Sequence, residues 1–156
     1  METPVSHTVS VQSAAPRGSA AVRARLLGRR VPAVFAGYLD QVYAAARDGA
    51  VHLDGRNVFV YRGSGPDDEV EVEFGVGITT PFPPAGPMQY SELPAGEVAT
   101  ATHWGDYGRL GEAHAAVIAW SQAHGRELAG PRWEVYGHWS PSAGPPRTDV
   151  YYLLAQ

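Results

Sequence analysis

The chain has 156 residues, of which 44% are hydrophobic and 18% are charged, a composition typical of a globular domain. Its 16 acidic residues outnumber its 12 basic residues, which are all Arg, and the net charge of -4 gives no electrostatic basis for direct binding of nucleic acid. Because the sequence contains no Cys, disulfides, thiolate metal sites and cysteine nucleophiles are excluded.

The sequence has no feature of export or membrane insertion. It lacks an apolar run of about 18 residues, and the polar residues 1–16 have neither the basic nor the hydrophobic region of a signal peptide. We therefore expect one cytoplasmic domain over residues 1–156 that does not enter a membrane.

The first half of the chain predicts one helix among three strands. Residues 8–12 alternate polar and apolar side chains, which is the period of a half-buried strand. Apolar residues recur at three- and four-residue spacing over residues 31–47 and predict an amphipathic helix. Residues 56–61 and 69–80 are rich in Val and aromatic residues and predict two strands. The pattern of residues 20–27 does not decide between a helical turn and a loop.

Three glutamates on the last of these strands, Glu69, Glu71 and Glu73, alternate with apolar residues. Like charges at a period of two are typical of the solvated face of an antiparallel strand. We expect all three side chains to face solvent.

The second half repeats the order of elements of the first half. A Pro- and Gly-rich linker is expected over residues 81–96. After it, residues 97–103 predict a strand, residues 106–124 a helix, and residues 132–139 and 148–154 two further strands.

This order predicts an α+β fold made of two tandem strand-helix-strand-strand repeats, over about residues 6–80 and 97–156. We expect the strands to form an antiparallel sheet system with the helices packed outside. The natural place for a ligand groove is the pseudo-twofold seam between the two repeats.

Four motifs of the second half follow one another in a characteristic order. They are Leu93-Pro94-Ala95-Gly96 with His103-Trp104-Gly105-Asp106-Tyr107, Trp120 with Gly125, Trp133-Glu134-Val135-Tyr136, and Thr148-Asp149-Val150-Tyr151. They resemble the GyrI-like small-molecule-binding family, which supplies the effector-binding domain of multidrug-sensing bacterial transcription regulators. Asp106 and Leu153 stand where the family usually has Pro, which leaves the subfamily and its ligand preference open.

The resemblance implies a concave groove that binds lipophilic, often cationic aromatic compounds, with the Glu of the Glu-x-Tyr strand as polar anchor. In this sequence that residue is Glu134. The family's domain is often fused to a DNA-binding domain, for which this chain has no residues, so the resemblance implies a free-standing member.

The strand that carries Glu134 supports this role. Strand alternation puts Glu134, Tyr136 and His138 on one face and Trp133 and Val135 on the other. Because Trp133 and Val135 suit a helix-covered core, we assign Glu134 and Tyr136 to the groove. An ionised carboxylate among aromatic rings is costly to bury unless a cation accompanies it, and ring faces attract cations as well.

Further aromatic residues from both halves are predicted to line the groove. The complete predicted set is Glu134, Tyr136, Tyr151, Trp104, Tyr38, Phe59, Tyr61, Phe82 and His138. The six histidines show no metal-binding spacing, so we expect structural or surface roles for them and neither a metal nor another cofactor.

Two alternatives to simple binding stay open. Some free-standing members of the family hydrolyse cyclopropane-bearing, DNA-alkylating compounds, and Glu134 would then activate water while Tyr136 or Tyr151 donates to the developing oxyanion. The third possibility, direct inhibition of DNA gyrase, rests on the family name.

Overall fold

The computed structural model describes residues 7–49, 51–62, 69–78, 80–137, 142 and 144–156. The strands are β1 (Ser10–Ala14), β2 (Gly18–Leu27), β3 (Asn57–Arg62), β4 (Glu69–Ile78), β5 (Gln89–Glu92), β6 (Gly96–Trp104), β7 (Leu128–Tyr136) and β8 (Arg147–Leu154). The helices are α1 (Val31–Asp48) and α2 (Leu110–Ala123), and each follows one turn of 3-10 helix. Within these described ranges, neither helix is long and apolar enough to cross a bilayer.

The strands form one sheet in the order β1-β6-β8-β7-β3-β4-β2-β5, and their pairings are antiparallel. The central pair, β3 and β7, joins two halves of the same construction, β2-α1-β3-β4 and β6-α2-β7-β8. The predicted α+β fold with two strand-helix-strand-strand repeats is therefore confirmed.

The first repeat begins later than the sequence predicts. Residues 20–27, which the sequence left undecided, belong to β2, and β2 pairs along its whole length with β4. Ala20 and Val22 are buried in the core, whereas Arg23 and Arg25 alternate with them on the other face. Ala and Arg favour helices in isolation, so the ten-residue pairing with β4 overrides their local propensity.

Two short strands are exchanged between the repeats. β1 leads into the first repeat but pairs with β6 of the second, and β5 leads into the second repeat but pairs with β2 of the first. The linker expected over residues 81–96 therefore contains a strand, and the strand expected over residues 8–12 lies outside the first repeat.

The segments that follow the exchanged strands, residues 15–17 and 93–95, are connectors that meet on one face of the sheet. The backbone N–H of Leu93 donates to the carbonyl of Arg17 at 2.7 Å. Trp133 and Val135 are buried near these connectors, in a cluster with Leu93 that contains no helix residue.

Both helices pack on the opposite face of the sheet. Leu39 and Val42 of α1 pack in one cluster with Phe74, and Val117 of α2 packs in another with Val150. The expectation that Trp133 and Val135 lie beneath a helix is therefore wrong. The helices share a face with Glu134 and Tyr136, and a gap between the helices leaves the central strands accessible.

Glu73 departs from the solvated row that the sequence predicts. Its side chain is 1% exposed and accepts hydrogen bonds from Nε of Arg62, at 2.6 Å, and from Oγ of Ser91 on β5. The side chain of Glu69 is 44% exposed and forms an ion pair with Arg25. The buried carboxylate of Glu73 thus fastens edge strand β5 to the sheet.

Replacing Glu73 with Ala is expected to lower the free energy of unfolding by about 3 kcal/mol, because Arg62 and Ser91 lose their buried acceptor. Glu69→Ala on the same strand removes only an exposed ion pair and is expected to cost less than about 1 kcal/mol. Urea denaturation of the two variants measures both values. Equal losses would contradict the fastening role of Glu73.

Candidate functional site

A cleft of about 570 Å³ opens between the two helices, above β3 and β7. Its lining residues are Gly28, Val31, Pro32, Phe35, Gly55, Asn57, Phe59, Tyr61, Tyr107, Leu110, Glu134, Tyr136 and Gly137. Among these described lining residues, Glu134 is the only one with a charged side chain. The cleft is thus an apolar and aromatic cavity with one carboxylate.

Glu134 is 5% exposed and lies at the centre of a hydrogen-bonded network. Its Oε1 accepts from the hydroxyl of Tyr136 at 2.7 Å and from the hydroxyl of Tyr61 at 3.0 Å. Its Oε2 lies 2.6 Å from Nε2 of His114, and Nδ1 of that ring lies 2.8 Å from the hydroxyl oxygen of Tyr152. These five residues are called the Glu134 network.

Sheet register and one helix position bring the network together. β3 and β7 are adjacent, and Phe59 lies directly opposite Glu134. Strand alternation then turns Tyr61 and Tyr136 to the same face as Glu134. His114 arrives one turn into α2, after a turn in which Gly105 adopts a φ of 108° that residues with a side chain rarely adopt.

The network keeps the buried carboxylate ionised. Burial by itself would raise the pKa of Glu134, but the hydrogen bond and charge of His114, together with the two tyrosine hydroxyls, hold that pKa below its ordinary value of 4.5. Burial and the charge of Glu134 raise the pKa values of Tyr61 and Tyr136. Both phenols therefore stay protonated and act as donors at neutral pH.

A row of aromatic rings crosses the cleft. The rings of Phe35 and Phe59 are 5.8 Å apart, those of Phe59 and Tyr136 are 5.0 Å apart, and those of Tyr136 and Tyr107 are 5.8 Å apart. The row runs from α1 of the first repeat to the turn before α2 of the second. Ring faces and edges are thus available beside the carboxylate.

Four residues of the predicted set come together in the cleft: Glu134, Tyr136, Phe59 and Tyr61. Tyr38 lies outside it, because its ring stacks on Phe74 at 4.7 Å beneath α1. Phe82 packs edge-on against Tyr90 at 6.2 Å, away from the cleft.

The remaining three predicted residues do not reach the cleft or cannot be placed. Tyr151 stacks on Trp133 at 5.5 Å on the far face, since alternation along β8 turns Tyr152 instead towards the helices. Trp104 is 59% exposed, with the guanidinium of Arg147 5.5 Å from the ring centre. His138 lies outside the described residues.

The predicted set lacks two aromatic residues of the cleft, Phe35 and Tyr107, and two members of the Glu134 network, His114 and Tyr152, besides the small, aliphatic and amide residues that line the cleft. The sequence does contain a sign that His114 is unusual. It is a polar residue at a position of α2 where the three- and four-residue spacing otherwise places apolar residues, and a buried polar side chain needs a hydrogen-bond partner. Nothing local indicates that this partner is Glu134, 20 residues further along the chain.

The model of the family described as GyrI-like small molecule binding domain matches residues 58–154. This chain belongs to the GyrI-like family. Binding of small molecules is therefore the function of the domain, and the cleft around Glu134 is its candidate site. Sequence comparison with curated proteins gave no match.

Solved structures share the fold of this GyrI-like domain at low sequence identity. The EcmrR C-terminal domain superposes with a TM-score of 0.76 at 15% identity, over 96% of this chain and 98% of that one. SAV2435 bound to tetraphenylphosphonium gives 0.66 at 12% identity, over 95% and 94%. A hydrolase from Listeria innocua gives 0.61 at 11% identity, over 94% and 91%.

The lowered pKa of Glu134 predicts an acid-sensitive contribution to stability. Because the folded pKa lies below the unfolded value of 4.5, the folded state binds fewer protons, and the stabilisation present above about pH 4.5 is lost as the pH falls through the folded value. Wild-type protein is expected to lose stability more steeply between pH 5 and 3 than Glu134→Gln. Urea denaturation at four pH values measures the difference, and parallel curves would contradict it.

Proposed function

We propose that this GyrI-like domain binds lipophilic, cationic aromatic compounds of varied structure, with Glu134 as the electrostatic anchor. The observation that carries the proposal is an ionised, buried carboxylate as the single charged side chain among the described lining residues of a largely apolar cleft. A bound cation satisfies that charge without displacing the hydrogen bonds from Tyr61 and Tyr136.

The aromatic row supports breadth of specificity. Phe35, Phe59, Tyr136 and Tyr107 offer flat surfaces that contact many ring systems, and each favourable cation–π contact contributes about 0.5–2 kcal/mol. The structurally similar SAV2435, which is bound to tetraphenylphosphonium, has a ligand of this chemical class. Sequestration or sensing of such compounds follows from binding without chemical change.

Tetraphenylphosphonium and triphenylphosphine oxide, a neutral compound with three of the same rings, separate charge recognition from ring contacts. A cation about 8 Å from the carboxylate, at an effective dielectric constant near 20, gains about 2 kcal/mol. Glu134→Gln is therefore expected to weaken tetraphenylphosphonium binding roughly thirtyfold in isothermal titration calorimetry at pH 8, and to leave the oxide little changed.

Glu97→Gln is the matched control for this experiment. It makes the same chemical change at an exposed carboxylate that pairs with Arg126, outside the cleft. It should bind both compounds like wild-type protein. If Glu134→Gln loses no affinity for the cation relative to this control, the anchor role is wrong.

Tyr107, in the turn before α2, and Trp104, at the end of β6, test the aromatic row. Tyr107 lines the cleft, whereas Trp104, three residues earlier, does not. Tyr107→Ala is expected to weaken tetraphenylphosphonium binding by about 1 kcal/mol, roughly fivefold, and Trp104→Ala is expected to have no effect. Fluorescence or calorimetric titration measures both, and the reverse ranking would place the ligand outside the cleft.

Hydrolysis of an electrophilic ligand is the second candidate, favoured by the chain of hydrogen bonds from Tyr152 through His114 to Glu134. The Listeria innocua protein of the same fold is described as a hydrolase. A lowered pKa makes Glu134 a weak general base, which is why binding ranks first. Mass spectrometry of a cyclopropane-bearing electrophile after incubation with the protein tests this second candidate. Hydrolysis adds the mass of one water to the electrophile, and Glu134→Gln should abolish this increase in mass.

A further inference from the structure

The imidazole of His114 contacts the carboxylate of Glu134 from outside the cleft. Glu134 lines the cleft, but His114 does not, and its Nε2 approaches the carboxylate at Oε2 while the tyrosine hydroxyls occupy Oε1. The carboxylate thus lies between the cleft and the imidazole. A ligand experiences the summed charge of this pair, which is negative with a neutral imidazole and zero with an imidazolium.

The surroundings of His114 accommodate both protonation states. In the neutral ring, Nε2–H donates to Glu134 and Nδ1 accepts from the hydroxyl of Tyr152, whereas in the imidazolium Nδ1–H donates to the same hydroxyl oxygen. A phenolic hydroxyl can act as donor or acceptor. The ring therefore gains or loses its proton without losing either hydrogen bond.

The other charged and titratable groups around the pair keep their charge near neutral pH. The pKa values of Tyr61, Tyr136 and Tyr152 are raised and that of Glu134 is lowered, each away from the range between pH 5 and 8. Imidazole is the side-chain type that ordinarily changes charge in this range.

Three further charged side chains lie on β7, on α2 and in the turn before α2. Arg132 of β7 places its guanidinium 5.1 Å from the centre of the Tyr61 ring. Arg109, in the turn before α2, pairs with Glu112 of α2 at 2.6 Å. Guanidinium and carboxylate side chains ordinarily keep their charge between pH 5 and 8, so such groups shift the charge preference of the cleft by a constant amount and do not switch it.

We infer that His114 is a specificity-determining residue whose protonation switches the cleft from a preference for cationic aromatic ligands to indifference between cationic and neutral ones. This inference rests on the proposed binding function and adds to it a dependence on pH. Neutral aromatic ligands, which have no net charge to attract, should bind equally in both states.

Affinities of wild-type protein at pH 8.0 and pH 5.5 give the first test. Tetraphenylphosphonium, whose charge does not change with pH, is expected to bind about tenfold more weakly at pH 5.5, and triphenylphosphine oxide equally at both. The ratio of the affinities for the two compounds is compared between the two pH values, because a pH effect on the shape of the cleft would change both affinities alike and leave this ratio unchanged. A parallel weakening of both compounds would overturn the inference.

NMR titration of ¹⁵N-histidine-labelled protein gives the second test. His114→Gln assigns the His114 ring by the loss of its signals, so this variant need not bind ligand. Because linkage is reciprocal, a tenfold difference in affinity requires saturating tetraphenylphosphonium to lower the titration midpoint of His114 by about one pH unit. His124, at the end of the same helix with its Nδ1 2.9 Å from the Trp120 carbonyl, is the internal control and should not shift.

The outcomes separate the inference from the proposed function. If tetraphenylphosphonium binds with the same affinity at both pH values and leaves the His114 midpoint unchanged, the inference is overturned and the proposed function stands. If the cation binds at neither pH, both are overturned. A midpoint shift at His114 with no shift at His124 supports both.

Discussion

The site depends on one physical constraint, which is that an ionised carboxylate must be kept out of water without becoming protonated. Desolvation of an isolated carboxylate costs several kcal/mol, and Glu134 offsets this cost with three donors, two phenols and one imidazole. The donors come from β3, β7 and α2, so they belong to both repeats. The position of each element in the fold therefore determines the charge state of a single side chain.

The two repeats share a construction but not a chemistry. The fifth residue of α1 is Phe35, whose ring contacts Phe59, and the fifth residue of α2 is His114, which contacts Glu134. Phe59 and Glu134 face each other across the central strand pair. Equivalent helix positions thus supply an apolar pair on one side of the seam and a polar pair on the other, an arrangement that suits amphiphilic ligands.

Local patterns in the sequence were sufficient for both helices, for most strands and for the alternation that separates Glu134 and Tyr136 from Trp133 and Val135, but they put the helices over the wrong one of these two faces. They failed where pairing partners are distant in sequence. β2 contains Ala, Arg and Leu residues that favour helices in isolation but are held extended by β4. Glu73 is buried against Arg62 and against Ser91 of the exchanged strand β5. The contact between His114 and Glu134 is likewise a product of tertiary structure. The motif resemblance points to Tyr151 and not to Tyr152, because a motif does not give the orientation of a side chain.

The exchange of β1 and β5 between repeats has a mechanical consequence. Because each of these strands completes the sheet of the opposite repeat, the two repeats are interlocked and cannot swing apart as independent lobes. On the proposed binding of varied ligands, adaptation to ligand size then falls to the exposed side chains of Phe35 and Tyr107.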